Sequence, residues 1–457
     1  MILRDPVHGL VAFEKPEESI IERLLEAREV QRLRRIRQLG LTSLAYPGAD
    51  HTRFSHALGA AHVMARFLGR MRNLEHELAP EHRLTREHAE EALAAALLHD
   101  VGHGPFSHLF ETVAEKSVHH ETWSERVVLD ESTDVHRILK SVRPDLPGRV
   151  RRLILGHHEL PYLAGAVSGT FDVDRADYLL RDAHFTGVSY GHFDLDWLLR
   201  SFCLSLGGGR LPSLAIDGQK GLPAIESFIL ARLFMFQQVY FHKASRASEW
   251  LLGRIFARLR DVLETERSFV VPVGLRELLL DGKTDLGSYL ALDDPTMWTF
   301  LRTLEDHPDP VTSDLSKRLS ARRLPKTLEL FGEDATPEGR RRCLELVTDI
   351  ARRRGLDPAS YVGVDTPSVI AFEESTKAPI SVRFRDGTEQ APSEVSFLLG
   401  RLRGQTLTRP RILFADELRK DVESALGLGG TRAVGLAGGV FGDRETQGSL
   451  KGPEAKL

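Results

Sequence analysis

At 457 residues the chain can bury a large core, and at ~100–200 residues per domain it has room for two or three domains. Apolar residues at 42% and charged residues at 28% exclude a disordered or fibrous chain, and a formal charge of -4 argues against a protein whose main business is coating nucleic acid. Two cysteines, Cys203 and Cys343, leave neither a disulfide framework nor a cysteine metal site, so any metal falls to His and carboxylates. The opening MILRDPVHGL carries Arg4 and Asp5 where a secretory signal needs an apolar run, and no stretch approaches ~20 uncharged apolar residues. These features predict a soluble cytoplasmic protein with no membrane partner.

From Ser19 to about Arg260 apolar residues recur at three and four, as in IIERLLEAREVQRL, LGAAHVMARFLGRM and HAEEALAAALLHD, which predicts a helical bundle. A β-hairpin is expected near Phe202, where FCLSLGGGRLPSLAIDG sets three glycines between two apolar runs, and helix resumes after Gly221. Further helices follow from about Arg267 to Arg354, with RRLPKTLELFG at 322–332 as a short strand or turn. Strand-like SVIAF, ISVRF and RILFA then alternate with one helix through Val395–Leu402, the pattern of a small α+β lobe. The predicted fold is therefore mainly α, divided as a core over 1–260, a helical extension over 261–355, an α+β lobe over 356–426 and a flexible tail over 427–457. No internal repeat is present.

Four stretches are dense in metal-binding and acid–base residue types: HTRFSHALG at 51–59, HDVGHGPFSHLFE at 99–111, HHETWS at 119–124 and DVDRADYLLRD at 172–182. In the second, an Ala/Leu-rich helix ends at His99-Asp100, placing an imidazole and a carboxylate where an unpaired charge is expensive and a bound cation compensates. His56 and an aspartate of the fourth stretch complete two imidazoles and two carboxylates, a mixture suited to iron, manganese, zinc or nickel rather than calcium. On residue types alone Asp172 and Asp174 compete for that place. A set with open coordination positions acidifies water and binds a phosphoryl oxygen, the combination needed for attack on phosphorus. Helical spacing sets Asp174, Tyr178 and Asp182 on one face with Arg175 beside them; Arg53 and His56, His99 and His103, and His108 and Glu111 stand three or four apart. The last pair has the form of an acid with its orienting carboxylate. A lone His-Asp pair is usually a solvated helix end, and it is the conjunction of stretches that outweighs that reading. The five arginines of REVQRLRRIR read as a solvated or subunit-contact face.

From DPVHG at 5–9, through QRLRRIRQLG, YPGADHTRFSHALG, LLHDVGHGPFSH, HHETWS and DVDRADYLLRDAHFTG, to MFQQVYFHKASR at 235–246, the chain resembles the HD superfamily. The resemblance is to its deoxynucleoside triphosphate triphosphohydrolase branch, related to the mammalian sterile-alpha-motif and HD-domain protein but without a preceding sterile-alpha-motif domain. It implies hydrolysis of a dNTP to deoxynucleoside and intact triphosphate, by water attack at the α-phosphorus, with His56, His99, Asp100 and Asp174 holding the metal. It implies phosphate contacts from Arg53, His103, His120, Arg175, Tyr178 and Arg232, with His120 also counted in the catalytic group. His108, oriented by Glu111 where the mammalian relative has aspartate, becomes the acid for the leaving 5′ oxygen. Gln38 and Asp182 take the 3′ hydroxyl, while Leu39 and Tyr240 crowd the 2′ position. Mg or Mn accompanies the substrate phosphates. At the family's nucleotide-activator surface Gln31 and Arg34 match, but Glu26 replaces the partnering aspartate and the N-terminal lysine falls on Met1, which argues against GTP as activator. The same resemblance implies a homo-oligomer, dimer or tetramer.

Two other functions compete: an HD-type phosphodiesterase or phosphatase acting on nucleoside monophosphates, cyclic nucleotides or nucleic-acid ends, and a non-catalytic regulator that binds nucleic acid. With dNTP as the substrate, nucleic acid is expected only as a secondary partner.

Overall fold

The structure is a computed structural model and describes residues 1–107, 110, 119–206, 211–374 and 379–426. The chain opens with a feature the helical periodicity does not announce, an antiparallel hairpin of β1 (Ile2–Asp5) and β2 (Gly9–Ala12), with Asp5 opposite Gly9. Asp5 Oδ1 accepts the backbone N–H of Val7 and of His8, each at 2.9 Å, and Gly9 takes φ +73° to close the turn. The IIERLLEAREVQRL stretch then forms two short helices, α1 (Ser19–Leu25) and α2 (Arg28–Arg32), broken where Ala27 is extended.

The bundle is organised on α3 (Arg53–Asn73) and α4 (Arg86–Leu98), which pack on each other. Thr85 starts α4 by accepting the His88 N–H at 3.1 Å, and the residues from Ala92 to Leu98 are all at most 1% exposed. A helix apolar on every side has to run through the middle of a core, and α4 is wrapped by α1, α3 and the later helix Leu146–Ile154. Its end therefore delivers His99 and Asp100 into the interior. Around it stand α5 (His120–Leu129), α6 (Asp134–Val142), α7 (Leu146–Ile154), α8 (Pro161–Ser168) and α9 (Val173–Thr186). Asp172 caps α9 by accepting the Arg175 N–H at 2.8 Å, and Gly187 at φ +74° ends it.

The expected hairpin is present as β3 (Phe202–Ser205) and β4 (Ser213–Asp217), with residues 207–210 of its loop outside the described set. It is followed by α10 (Leu222–Met235), one π-helical turn at Phe236–Tyr240, and α11 (Lys243–Thr265). A second apolar core forms on α11 and the helices Leu275–Asp281, Asp294–Thr303, Pro310–Ser320 and Pro337–Arg353. The strand expected at 322–332 is β5 (Lys326–Glu329).

The C-terminal α+β lobe is stitched into both halves. Its strands β6 (Val362–Asp365) and β11 (Arg411–Phe414) join β5 in the order β5-β11-β6 and bury Ile412 and Phe414 in the second core. Between them, β7 (Ser368–Ile370) pairs with β10 (Thr406–Thr408), while β8 (Ser381–Arg383) lies parallel to β4 with Val382 opposite Ile216. With β9 (Glu389–Gln390) this makes a four-stranded sheet on the bundle side. The helix expected over 395–402 is Phe397–Leu402. The tail from 427 lies outside the described residues. Among the described residues no helix is long and apolar enough to cross a membrane.

Candidate metal and substrate site

The first turn of α3, the end of α4 and the first turn of α9 converge. His56 Nε2 lies 3.0 Å from Asp174 Oδ1 and 3.4 Å from His99 Nε2, and His99 Nε2 lies 3.4 Å from Asp174 Oδ1. Asp100 completes the group, with Oδ1 3.6 Å from His99 Nε2 and Oδ2 4.0 Å from His56 Nε2. His56 is 0% exposed. Each imidazole is anchored through its other nitrogen: His56 Nδ1 donates to Asp177 Oδ2 at 2.8 Å and His99 Nδ1 to the Ala96 carbonyl at 2.9 Å. Both rings therefore direct an Nε2 lone pair into the cluster, the tautomer a divalent ion requires, and the donor set fits such an ion. Without an ion the electrostatics favour extra protons. Burial pulls the His56 and His99 imidazoles down, but the carboxylates overcome it, Asp174 and Asp177 lifting His56 to about 10 and Asp100 with Asp174 lifting His99 to about 9.

Between the two candidate aspartates the geometry discriminates. Asp172 sits at the α9 N-cap and pairs with the Arg175 guanidinium, whereas Asp174, one helical step inside, reaches the His56–His99 pair. Burial pushes the Asp172 carboxyl up to about 6 against the pull of Arg175.

Of the other expected residues, Arg53, His103 and Tyr178 adjoin this centre. Arg53, in the same helical turn as His56, pairs with Asp100 and donates to Ser107 Oγ at 3.2 Å. His103 Nε2 is 3.3 Å from Asp100 Oδ1, and its ring stacks on His120 at 3.9 Å. Arg175 also donates to the Gly169 carbonyl. The Tyr178 ring lies 6.4 Å from both His56 and Tyr240. Asp182, two turns along α9 from Asp174, accepts His51 Nε2 at 2.8 Å and the Tyr240 hydroxyl at 2.7 Å. The backbone N–H of Gln38 donates to the His51 carbonyl at 2.9 Å, and its Oε1 is buried with no hydrogen-bond partner among the described residues. Leu39 beside it is half-buried against the bundle core. Arg232 donates to the Ile370 carbonyl at 3.1 Å and lies over the Phe236 ring at 5.0 Å. His108 and Glu111 lie outside the described residues. Gln31 and Arg34 pair with each other at 2.9 Å away from the cluster, Arg34 lying over Phe54, and Glu26 is exposed at the end of α1.

Several residues that build the site escaped the sequence reading. Gly102 lies against α5 so closely that a Cβ there would come 2.1 Å from the Ser124 nitrogen, and Ser124 Oγ accepts Gly102 N–H while donating to the His99 carbonyl at 2.8 Å. That contact sets His120 over His103. From the second core, Tyr289 donates to the Gly102 carbonyl at 2.8 Å and stacks on Trp123 at 3.9 Å. Asp294 accepts the Phe106 and Arg37 backbone N–H groups at 2.9 Å each, pinning the loop where Phe106 and Ser107 both take φ +58°. The helix-cap patterns at Asp293 and Asp294 are visible in sequence; their contacts with residues about 190 and 260 positions earlier are not.

The HD domain family model matches residues 53–182, the segment that carries all four residues of the cluster, and the HD associated region model matches residues 211–426. The uncharacterized protein YwfO of Bacillus subtilis is 32% identical over 424 residues, covering 91% of this chain and 92% of its own. The chain belongs to the HD-domain family. This HD-domain protein is 29% identical over 291 residues to the deoxynucleoside triphosphate triphosphohydrolase SAMHD1 homolog of Dictyostelium discoideum, covering 59% of the chain and 52% of that protein. The alignment thus spans about half of the SAMHD1 homolog's length. A solved phosphohydrolase of Bacteroides thetaiotaomicron superposes on the HD-domain protein with a TM-score of 0.73 at 28% identity, covering 91% of this chain and 99% of that one. A hypothetical protein of Aquifex aeolicus gives a TM-score of 0.70 at 27% identity, covering 93% of this chain and 99% of that one. By family the protein is a metal-dependent phosphohydrolase.

Proposed function

We propose that the protein hydrolyses deoxynucleoside triphosphates to deoxynucleoside and inorganic triphosphate. The observation that carries this reading is the single face of α9, which presents Asp174 to the histidine cluster, Tyr178 beside it, and Asp182 bonded to the Tyr240 hydroxyl. In this reading one rigid element carries a group for the metal, one for phosphate and one for the sugar. The likeness to proteins named as deoxynucleoside triphosphate triphosphohydrolases supports the same reading.

In this reading His56, His99, Asp100 and Asp174 would hold a divalent ion, iron, manganese, zinc or nickel, which would supply the positive charge that acidifies water and favours attack on phosphorus. Arg53, His103, His120, Arg175, Tyr178 and Arg232 surround the phosphate chain, with Mg or Mn beside the outer phosphates. Arg175 exchanges part of its pairing with Asp172 for a phosphate, a charge-assisted bond of the same kind. Asp182 accepts from the 3′ hydroxyl and the Gln38 amide donates to it, and the Tyr240 ring, tied to Asp182, excludes a 2′ hydroxyl together with Leu39. His108, with Glu111, delivers the proton to the departing 5′ oxygen.

The test incubates the purified protein with Mn²⁺ or Mg²⁺ and each dNTP singly and mixed, resolves the products by chromatography, and runs His99→Ala alongside. Deoxynucleoside and triphosphate appear together and vanish in the variant. Phosphate or pyrophosphate in their place would refute the triphosphohydrolase reading and favour a phosphatase or phosphodiesterase.

A further inference from the structure

Behind His56, away from the substrate side, lies a chain of buried charges that the proposed reaction does not use. Asp177 is 0% exposed and accepts four hydrogen bonds. Its Oδ2 takes His56 Nδ1 and Arg181 Nε, both at 2.8 Å; its Oδ1 takes His8 Nε2 at 2.6 Å and Arg181 Nη2 at 2.9 Å. Arg181, also 0% exposed, donates through Nη1 to Asp5 Oδ2 at 2.8 Å. Asp5 in turn holds the Val7 and His8 backbone N–H groups in the tight turn between β1 and β2. The room for this fork comes from Gly59 in the middle of α3, where a Cβ would stand 1.9 Å from Asp177 Oδ1 and 2.3 Å from Arg181 Nη2.

We infer that His8 and Asp177 are positioning residues for the metal centre, and that the N-terminal DPVHG turn fixes the tautomer and aim of His56. The inference rests on the reading of His56 as a metal ligand. An ionised carboxylate has about four acceptor positions, and all four are filled, so Asp177 can only accept and His56 Nδ1 must carry the proton. That leaves Nε2, toward Asp174 and His99, as the nitrogen that a bound ion would take. Arg181 alone would hold the carboxylate by two contacts on one edge; His8 supplies the donor from the opposite side that stops it swinging away from His56. A merely structural ion pair would tie the hairpin to α9 equally well through Asp5 and Arg181, without enlisting His8 or His56.

The experiment measures Mn²⁺ affinity directly, by the free-ion signal in electron paramagnetic resonance, for wild type, His99→Ala, His8→Ala, His8→Gln and Asp177→Asn, together with metal-free melting temperature. His8→Ala is expected to weaken Mn²⁺ binding by about 10–100-fold, the usual cost of losing an outer partner of a ligand. His8→Gln, whose amide N–H reaches as far as imidazole Nε2, is expected to restore most of it. Asp177→Asn, which can no longer accept from all four donors, weakens binding at least as much as His8→Ala. Unchanged Mn²⁺ affinity in folded His8→Ala, or loss that His8→Gln does not repair, overturns the positioning role. If wild type and His99→Ala bind Mn²⁺ alike, the metal reading itself fails and takes this inference with it. Should His8→Ala not fold, the wild type against His8→Gln and Asp177→Asn decides: affinity held in the first and lost in the second is the expected result, and equal affinity in all three overturns it.

Discussion

The proposed metal end and the proposed sugar end of the site are built in opposite ways. At the metal end the groups come from three helices of one bundle, each within a turn of a helix terminus, and each imidazole is aimed by a partner in its own half of the molecule. At the sugar end Gln38 lies in a loop, Asp182 on α9, and Tyr240 at the close of a π-helical turn. The first is preorganised by the bundle; the second is assembled from a loop, a helix and a π-helical turn far apart in the chain. The comparison teaches that chemistry and specificity here have separate structural supports, so they should fail separately.

The sharpest way to break that comparison is at the two aspartates of α9. Asp174→Ala removes a carboxylate from the cluster and should lower dNTP turnover by about 10²–10³-fold or more, with loss of bound metal measured by elemental analysis. Asp172→Ala should retain the metal while losing the α9 cap, about 1 kcal/mol of stability in thermal melts, and raising KM through an unrestrained Arg175. Metal loss in both variants would show that the cap and the cluster at the start of α9 are not separable.

Gly59→Ala tests the support behind His56. A methyl group has no room against Asp177 and Arg181, so overpacking should cost about 1–3 kcal/mol, read as a lower melting temperature without metal. At the sugar end, wild type should turn over dATP in preference to ATP, and Tyr240→Ala should narrow the dATP-to-ATP ratio of kcat/KM by about tenfold, leaving metal content unchanged. The effect smallest near neutral pH is that of His62, which burial, with help from His8 and Arg66, pushes down to about 4. The unfolded chain binds this proton more readily than the folded one, so its contribution is full above pH ~6.5 and is lost as pH falls toward 4. A His62→Gln variant should accordingly show a shallower fall in melting temperature between pH 6.5 and 4 than wild type.

Much of this was legible in the chain itself. The all-apolar run from Ala92 to Leu98 could only be a central helix, so His99 and Asp100 had to emerge inside, and the spacing of Asp174, Tyr178 and Asp182 determined which groups share one face of α9. The β3–β4 hairpin and the strands SVIAF, ISVRF and RILFA were equally legible, because period-two patterns between turn residues are local signals.

Other features could be decided only by the tertiary structure. Asp172 and Asp174 are the same residue type two positions apart; helix-cap geometry, set by where α9 begins, separated the cap from the cluster. The hairpin turn that brings His8 to Asp177 and Asp5 to Arg181 does so across about 170 positions, the Tyr289 and Asp294 contacts on the Gly102 and Phe106 loops span about 190, and β8 joins β4 across more than 160. Periodicity and spacing report which side chains share a face of one element. Which distant element fills the other side of a buried carboxylate is a matter of packing and of pairing every buried donor, and that is resolved only when the whole chain has closed around it.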